Sequence, residues 1–178
     1  KSFNNNLEFN LEPFIYKTIR SSDFYKKLFS KIKLSKQIKI ENLEVKEIIS
    51  EKNKVIIHTK SEEFIGKYVF SSILKKDLLK NSSFPFLKQH FEGWFIKTNK
   101  SFFDKNKTTL MDFSINQKNE TRFIYILPFK SNEALIEFTL FTKSILKNSE
   151  YEKVLKEYLN NKGINSYEIL EKEQGVIP

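Results

Sequence analysis

Apolar positions in the first part of the chain follow two periods. From Phe24 to Ile32 they recur every four residues, which predicts an amphipathic helix over residues 23–33 with Ser21 or Ser22 as its N-cap. Beyond residue 37 the period shortens to two, as is typical of half-buried strands. These alternating runs predict a β-meander of short strands at residues 38–40, 43–45, 55–58, 64–65 and 68–70.

A polar stretch in the middle of the chain predicts a domain boundary. Residues 75–86 are rich in Lys, Asn and Ser and contain Pro85. We therefore divide the chain into residues 1–75, with the first helix and the meander, and residues 76–178. Four strand-like runs follow at residues 87–97, 108–113, 121–129 and 134–142. The last two are apolar on both faces, as expected inside a covered sheet.

The chain closes with a second helix and a further strand. Its apolar stripe predicts a helix over residues 150–161, with Ser149 as the cap and Gly163 as a left-handed stop. Residues 166–173 return to the strand pattern. The predicted fold class is α+β, a mainly antiparallel sheet with two amphipathic helices.

Composition narrows the possible chemistry. The 178 residues include no Cys and only two His, so we predict no disulfide and no metal site. Four Gly leave little room for phosphate-binding loops, and no P-loop, nucleophile-elbow or HExxH motif is present. No apolar run approaches the ~18 residues of a membrane span, and the start lacks a signal-peptide pattern.

The net charge of +9 allows two interpretations. It can attract nucleic acid or an anionic membrane surface, or it can reflect a general bias toward Lys and Asn. Lysines are spread along the whole chain, which favours the bias. The aromatic run at residues 122–126 lacks the glycines of an RNA-recognition sheet, so we predict no nucleic-acid partner.

Glu137 is the first candidate for chemistry. Alternation along its strand puts it on one face with Leu135 and Thr139. A carboxyl group on an apolar face is desolvated, which raises its pKa and favours the protonated form that a proton donor needs. The alternative is a glutamate at a strand end or sheet edge that reaches solvent.

Two other acids and a histidine give weaker signals. Asp112 lies near a strand end, where spacing alone favours a cap of the following turn. Glu173 lies shortly before Gly175, which permits a close backbone approach or a positive φ. His90 and Glu92 are two apart and can pair on one strand face, although a packed or surface histidine is the favoured interpretation.

Short segments in a fixed order nevertheless resemble one family. They are RSSDFY at 20–25, YVFSS at 68–72, QHFEGW at 89–94, LMDF at 110–113, IEFT at 136–139 and EQGVIP at 173–178. Over nearly the whole chain this set is similar to the lycopene cyclases, bacterial flavoproteins that close the rings at the ends of carotenoids.

The resemblance implies a FAD-binding domain of the glutathione-reductase type, partly contained in residues 1–75, and a substrate-binding antiparallel sheet in residues 76–178. It implies reduced FAD as cofactor and lycopene as substrate in a redox-neutral cyclisation. It assigns Glu137 as the acid, Asp112 and Glu173 as supporting acids, and Arg20 as a cofactor contact. A substrate dissolved in the bilayer implies a cytoplasmic protein with peripheral membrane contact.

Departures from the family pattern lead to further expectations. The Gly-rich dinucleotide turn is missing, so we expect a fragment that lacks the N-terminal motif and the C-terminal part and has little cyclase activity alone. Ile73 and Ser114 stand where the family tends to have arginines. Two alternatives remain, a flavoenzyme resembling geranylgeranyl reductase and a non-enzymatic basic α+β binding module.

Overall fold

A computed structural model describes residues 7–73 and 86–177, which belong to two compact units. Residues 17–73 form the N-terminal unit. Residues 86–177, together with residues 7–16, form the sheet unit. The domain boundary predicted after residue 75 lies outside the described residues.

The N-terminal unit contains one helix and one small antiparallel sheet. Helix α1 is Ser21–Leu34, and the strands are β1 Val45–Ser50, β2 Val55–Thr59 and β3 Glu63–Gly66, in the order β1-β2-β3. The predicted helix and meander are confirmed. The predicted serine cap is wrong, because the helix begins at Ser21 and Arg20 occupies the N-cap position without a side-chain cap.

Two predicted strands of the meander are also wrong. Residues 38–40 and 68–70 are not strands, and most of their apolar side chains are exposed, Phe70 completely. Alternation in a sequence records which positions are apolar but not whether a partner strand is available for hydrogen bonding. The first strand instead begins at Val45, where a bulge precedes its regular pairing with β2.

The sheet unit is a five-stranded antiparallel sheet with one helix. Its elements are β4 Lys88–Thr98, β5 Thr109–Asp112, β6 Thr121–Lys130, β7 Glu133–Thr142, α2 Asn148–Asn161 and β8 Tyr167–Ile177. The strand order is β5-β6-β7-β4-β8, so β7 lies in the centre. The four predicted strand runs, the second helix and the α+β class are confirmed.

Helix α2 covers one face of this sheet and forms the core with it. Even-numbered residues of β4, β6 and β7 point toward the helix, because the registers align them in rows. The buried cluster consists mainly of Trp94, Ile96, Ile124, Ile136, Phe138 and Leu140 from the strands and Tyr151, Leu155, Tyr158 and Leu159 from the helix.

The sequence correctly predicted how α2 ends but not how it begins. Gly163 follows the helix with φ of 75°, which confirms the left-handed stop. The predicted cap at Ser149 is wrong, because the helix begins at Asn148 after Lys147. The Glu150 carboxylate accepts a hydrogen bond from the Lys147 backbone N–H at 3.1 Å. Glu150, in the first turn of the helix, therefore has the capping role that was predicted for the serine.

Candidate active site

Four residues form one row across the sheet, on the face opposite α2. Tyr125 on β6 pairs with Glu137 on β7, Glu137 with Gly93 on β4, and Gly93 with Glu173 on β8. We call this face the distal face. The sheet therefore brings two of the predicted acids, Glu137 and Glu173, into a single row with one glycine between them.

Glu137 opens into a cavity of about 370 Å³. This volume lies within the usual range of small-ligand pockets. Glu137 is the one acid in a wall that is otherwise aromatic or aliphatic, formed by Tyr16, Leu110, Met111, Tyr125 and Leu127. Such a lining suits a hydrocarbon and partly desolvates the carboxyl group.

The environment of Glu137 favours its protonated form. Burial raises the pKa of this carboxyl group, and a hydrogen bond from the Thr139 hydroxyl, at 2.6 Å from Oε1, partly opposes the rise. Its strand is the centre of the sheet, so Glu137 is not the edge glutamate of the alternative interpretation. A half-buried acid that retains its proton can act as a general acid.

Tyr125 is a site residue that the sequence analysis missed. Its ring packs edge-on against Phe123, with 5.1 Å between ring centroids, which fixes it beside Glu137. Burial and the neighbouring Glu137 carboxylate raise the pKa of the Tyr125 phenol. In the sequence, nothing sets Tyr125 apart from the other residues of its strand. Only the pairing of β6 with β7 shows that it lies beside Glu137.

Met111 contributes another feature of this cavity that the sequence does not reveal. Its φ is 52°, in the left-handed region that unbranched, bulky side chains seldom adopt. The regular pairing of β5 with β6 is interrupted between Thr109 and Asp112, and Met111 lies within that interruption. The irregular backbone turns this part of β5 into cavity wall.

Glu173 leans from the edge strand over Gly93. A Cβ atom added at Gly93 would lie 3.0 Å from both Cγ and Oε1 of Glu173. The side chain is half-buried and lies in the middle of β8, where the sequence predicted the strand to end. The Glu173 carboxyl group therefore lies over β4, the strand between its own strand and that of Glu137.

Gly175 has a packing role instead of a turn. A Cβ atom at this position would lie 2.6 Å from Cζ of Phe91, so the phenylalanine ring occupies the space above the glycine. Gly175 does not have a positive φ; among the described glycines, only Gly163 does. The close approach that the sequence allowed is therefore made by an aromatic side chain.

Asp112 lies on the opposite face, away from the row. Its Oδ2 accepts a hydrogen bond from the Tyr158 hydroxyl at 2.7 Å and lies 3.3 Å from Nζ of Lys162, while Oδ1 accepts the Ser114 N–H at 2.9 Å. Burial would raise its pKa, but these partners lower the pKa to about 2. The turn-capping interpretation is confirmed, and the structure does not bring Asp112 together with Glu137 and Glu173.

Arg20 lies in the N-terminal unit. Its backbone carbonyl accepts hydrogen bonds from the N–H groups of Asp23 and Phe24, at 3.1 and 3.0 Å. The described residues do not fit the pyrophosphate of a dinucleotide. All strand pairs among them are antiparallel, and none of the four glycines at 66, 93, 163 and 175 lies in a turn that leads from a strand into a helix.

His90 and Glu92 face α2 and do not pair with each other. Nδ1 of His90 contacts the Tyr151 hydroxyl and Nε2 contacts the Thr142 hydroxyl at 2.7 Å, while Glu92 accepts a hydrogen bond from Nε1 of Trp94 at 2.7 Å. Burial lowers the pKa of His90. The favoured interpretation of a packed histidine is confirmed.

A second, larger cavity carries no comparable chemistry. It measures about 790 Å³ and is a shallow groove between residues 101–106 and 129–131, with Asp104 as its one acid. Within the described ranges, no three acids or histidines converge on a possible metal position. Neither described helix has the length and hydrophobicity needed to cross a membrane.

Comparison with known proteins gives one match. The model of a protein family described as "Lycopene cyclase protein" matches residues 3–178. The match includes both units and all four residues of the row. No curated protein and no solved structure matches the chain.

Proposed function

Since the chain belongs to the lycopene cyclase family, we propose that its sheet unit carries the acid-initiated ring closure at the end of a linear carotenoid, with Glu137 as the proton donor. The family acts in carotenoid biosynthesis on substrates such as lycopene. The observation that supports this assignment is the Glu137 carboxyl group, whose pKa is raised in a cavity with an otherwise apolar lining.

The first step is transfer of the Glu137 proton to the terminal double bond of the substrate. One alkene carbon gains the proton and the other becomes a tertiary carbocation, while Glu137 becomes a carboxylate. A desolvated carboxyl group keeps its proton to higher pH, so Glu137 is protonated when the alkene binds, and exclusion of water by the bound hydrocarbon protects the cation that forms. Leu110 and Leu127 line the cavity on which this exclusion depends.

The second step is attack of a neighbouring double bond on the cation, which closes a six-membered ring and moves the positive charge into it. The aromatic faces of Tyr125 and Tyr16 border the same cavity and stabilise the charge by cation–π attraction. Loss of a proton from a ring carbon then gives the cyclic alkene. One proton enters and one leaves, so substrate and product have the same mass.

The remaining predicted residues have different places in this proposal. Asp112, with a pKa of about 2, is ionised near neutral pH and supports the sheet by holding β5 against α2. Arg20 remains a proposed flavin contact in the N-terminal unit. The family generally depends on a flavin, whereas the proton that starts the reaction comes from Glu137 of this chain.

Product analysis of a Glu137→Gln variant tests the proposal. The protein is expressed from its native gene in bacterial cells that accumulate lycopene, and the carotenoids are separated and weighed by mass spectrometry. We expect cyclic carotenoid with the mass of lycopene from the wild type. The variant should yield at least about 100-fold less, the usual contribution of a general acid.

Glu133→Gln is the matched control. Glu133 lies on the same strand but pairs with Lys130 at 2.7 Å beside the hairpin turn, so its loss should leave cyclisation unchanged. Linear lycopene in the wild-type culture, or full activity of Glu137→Gln, would contradict the proposal. A product two mass units heavier would indicate the reductase alternative.

A further inference from the structure

Gly93 separates the two acids of the distal row. It is buried in β4, with Glu137 of β7 as its partner on one side and Glu173 of the edge strand β8 on the other. The position on the neighbouring strand between two carboxyl groups therefore has no side chain. Any other residue would place a Cβ atom on the distal face at this point.

The space above Gly93 is filled by neighbouring side chains. An added Cβ atom would lie 2.9 Å from Cδ1 of Leu135 and 3.0 Å from Cγ and Oε1 of Glu173. Leu135 is buried in the central strand, whereas Glu173 is half-buried at the edge of the sheet. The side chain with room to retreat is thus Glu173, and a methyl group at position 93 would push it away from the row.

We propose that Glu173 is the base that accepts the proton lost from the ring, and that Gly93 is the positioning residue that lets its carboxylate reach the substrate. This inference rests on the proposed function. In this step the C–H bond of a ring carbon next to the cation breaks, its electron pair forms the ring double bond, and the proton binds a Glu173 oxygen. No electrons are gained or lost overall.

The positions of the two acids fit a division of labour. Glu137 lies in the central strand, where burial favours its protonated form before the reaction. Glu173 lies on the edge strand, where exchange with water is easier than at the centre. After each cycle Glu137 must regain a proton and Glu173 must lose one, and exchange with solvent restores both acids without an added reagent.

The fate of the carbocation distinguishes a missing base from a missing acid. Without Glu173 the remaining base is the Glu137 carboxylate, which we expect to reach the ring carbon less readily, so that the cation persists until water attacks it. This attack adds one oxygen and two hydrogens and releases the proton that the acid supplied. We expect Glu173→Gln and Gly93→Ala to lose cyclic alkene roughly 100-fold, as misplacement of a catalytic group by about 1 Å can do. Both should accumulate hydrated carotenoid, 18 mass units above lycopene.

Two controls separate positioning from folding. Gly66→Ala introduces the same methyl group where the closest contact is an ordinary 3.4 Å to the Tyr68 carbonyl oxygen, so its product should match the wild type. Leu135→Val, combined with Gly93→Ala, relieves the contact with Leu135 but not the one with Glu173. Thermal melting is followed for every variant, and the double variant should still accumulate hydrated product.

The inference is overturned if Gly93→Ala cyclises like the wild type, if Leu135→Val restores cyclic product, or if neither Glu173→Gln nor Gly93→Ala forms hydrated product. Failure of the proposed function has a different signature. In that case the wild type itself forms no cyclic carotenoid, or Glu137→Gln retains activity. A third result would reject this inference but not the proposed function. In that case the wild type cyclises, Glu137→Gln does not, and neither Glu173→Gln nor Gly93→Ala forms hydrated product.

Discussion

At the scale of single residues, the chemistry depends on opposing influences on one carboxyl group. Burial in the central strand raises the pKa of Glu137, while the Thr139 hydroxyl lowers it by hydrogen bonding to Oε1. An acid that protonates an alkene must hold its proton near neutral pH and still release it to a weak base. Thr139 therefore limits how strongly the buried acid retains its proton.

Thr139→Val should shift the pH dependence of cyclisation. Loss of the hydroxyl removes the influence that lowers the pKa of Glu137, so this pKa rises further and the acid stays protonated to higher pH. The alkaline limb of the pH–rate profile should move upward by about one unit, the equivalent of one charge-assisted hydrogen bond. Thr121→Val, at an exposed position of β6, is the control and should leave the profile unchanged.

A downward shift of the alkaline limb in Thr139→Val would contradict this assignment of the hydrogen bond. No shift at all would show that Glu137 does not carry the proton that controls the rate. The measurement is the initial rate of cyclic carotenoid formation across the pH range in which the protein remains folded.

At the scale of elements, α2 is held over the sheet by polar contacts at both ends. Asp112 of β5 accepts the Tyr158 hydroxyl and pairs with Lys162 near the end of the helix. Lys172 of β8 pairs with Glu152 at 2.8 Å near its start. The two outermost strands are thus connected to the same helix, which limits how far either edge can open.

Asp112→Asn should cost about 2 kcal/mol of unfolding free energy at neutral pH, in line with a pKa lowered from 3.8 to about 2. A depressed pKa means that the folded state favours the carboxylate, so this contribution is present above pH 3.8 and lost as the pH falls through 2. The difference between wild type and variant should therefore shrink across that interval. Urea titration at several pH values measures it.

Asp104→Asn provides the comparison for this effect. Asp104 lies in an exposed loop, where it accepts the Asn106 N–H at 2.9 Å, and its replacement should change stability by less than about 0.5 kcal/mol. An Asp112→Asn difference that stays constant from neutral pH to pH 2 would show that the carboxylate charge is not the source of the stability.

At the scale of the whole molecule, the hydrophobic core is unevenly distributed. Every buried apolar side chain among the described residues belongs to the sheet unit, and none of the residues of α1 is buried. Helices α1 and α2 have the same length of 14 residues, but α2 buries Tyr151, Leu155, Tyr158 and Leu159. Helices of this length are marginal in water unless tertiary packing supports them.

Amide hydrogen exchange should therefore separate the two helices. The amides of α2 and of the central strand β7 are expected to exchange slowest, close to global unfolding, and those of α1 at least about 100-fold faster. Mass spectrometry of peptic fragments measures both helices in one sample, so α2 is the internal control. Equal protection of α1 and α2 would show that α1 is packed in solution.

Much of the fold could be predicted from sequence because its periods are strong. Helical spacing identified α1 and α2, and long strand-like apolar runs identified β4, β6 and β7. Alternation also put Glu137 on one face with Leu135 and Thr139, but it left open whether the carboxyl group is desolvated or reaches solvent at an edge. Segments 38–40 and 68–70 failed as strands, because a local pattern contains no information on the partner strand.

The composition of the site was decided by tertiary structure, through two irregularities of register. Phe129 is an extra residue in β6, so Glu137 pairs with Tyr125 where regular pairing from the hairpin would give Ile126. Leu170 is an extra residue in β8; if pairing continued regularly through it from Ile169, Glu173 would pair with Glu92 and share a face with Ile169 toward α2. A shift by one residue moves a side chain to the other face of a sheet.

The sequence by itself determined both helices, the long strands of the sheet unit and the presence of an acid within an apolar strand, because local periodicity follows directly from residue order. Only the tertiary structure decided that Tyr125, Glu137, Gly93 and Glu173 share one row and that Asp112 does not. These placements depend on bulges and on pairing between strands distant in sequence. The energy of such pairing comes from contacts between segments, so it cannot be predicted from the sequence of one segment alone.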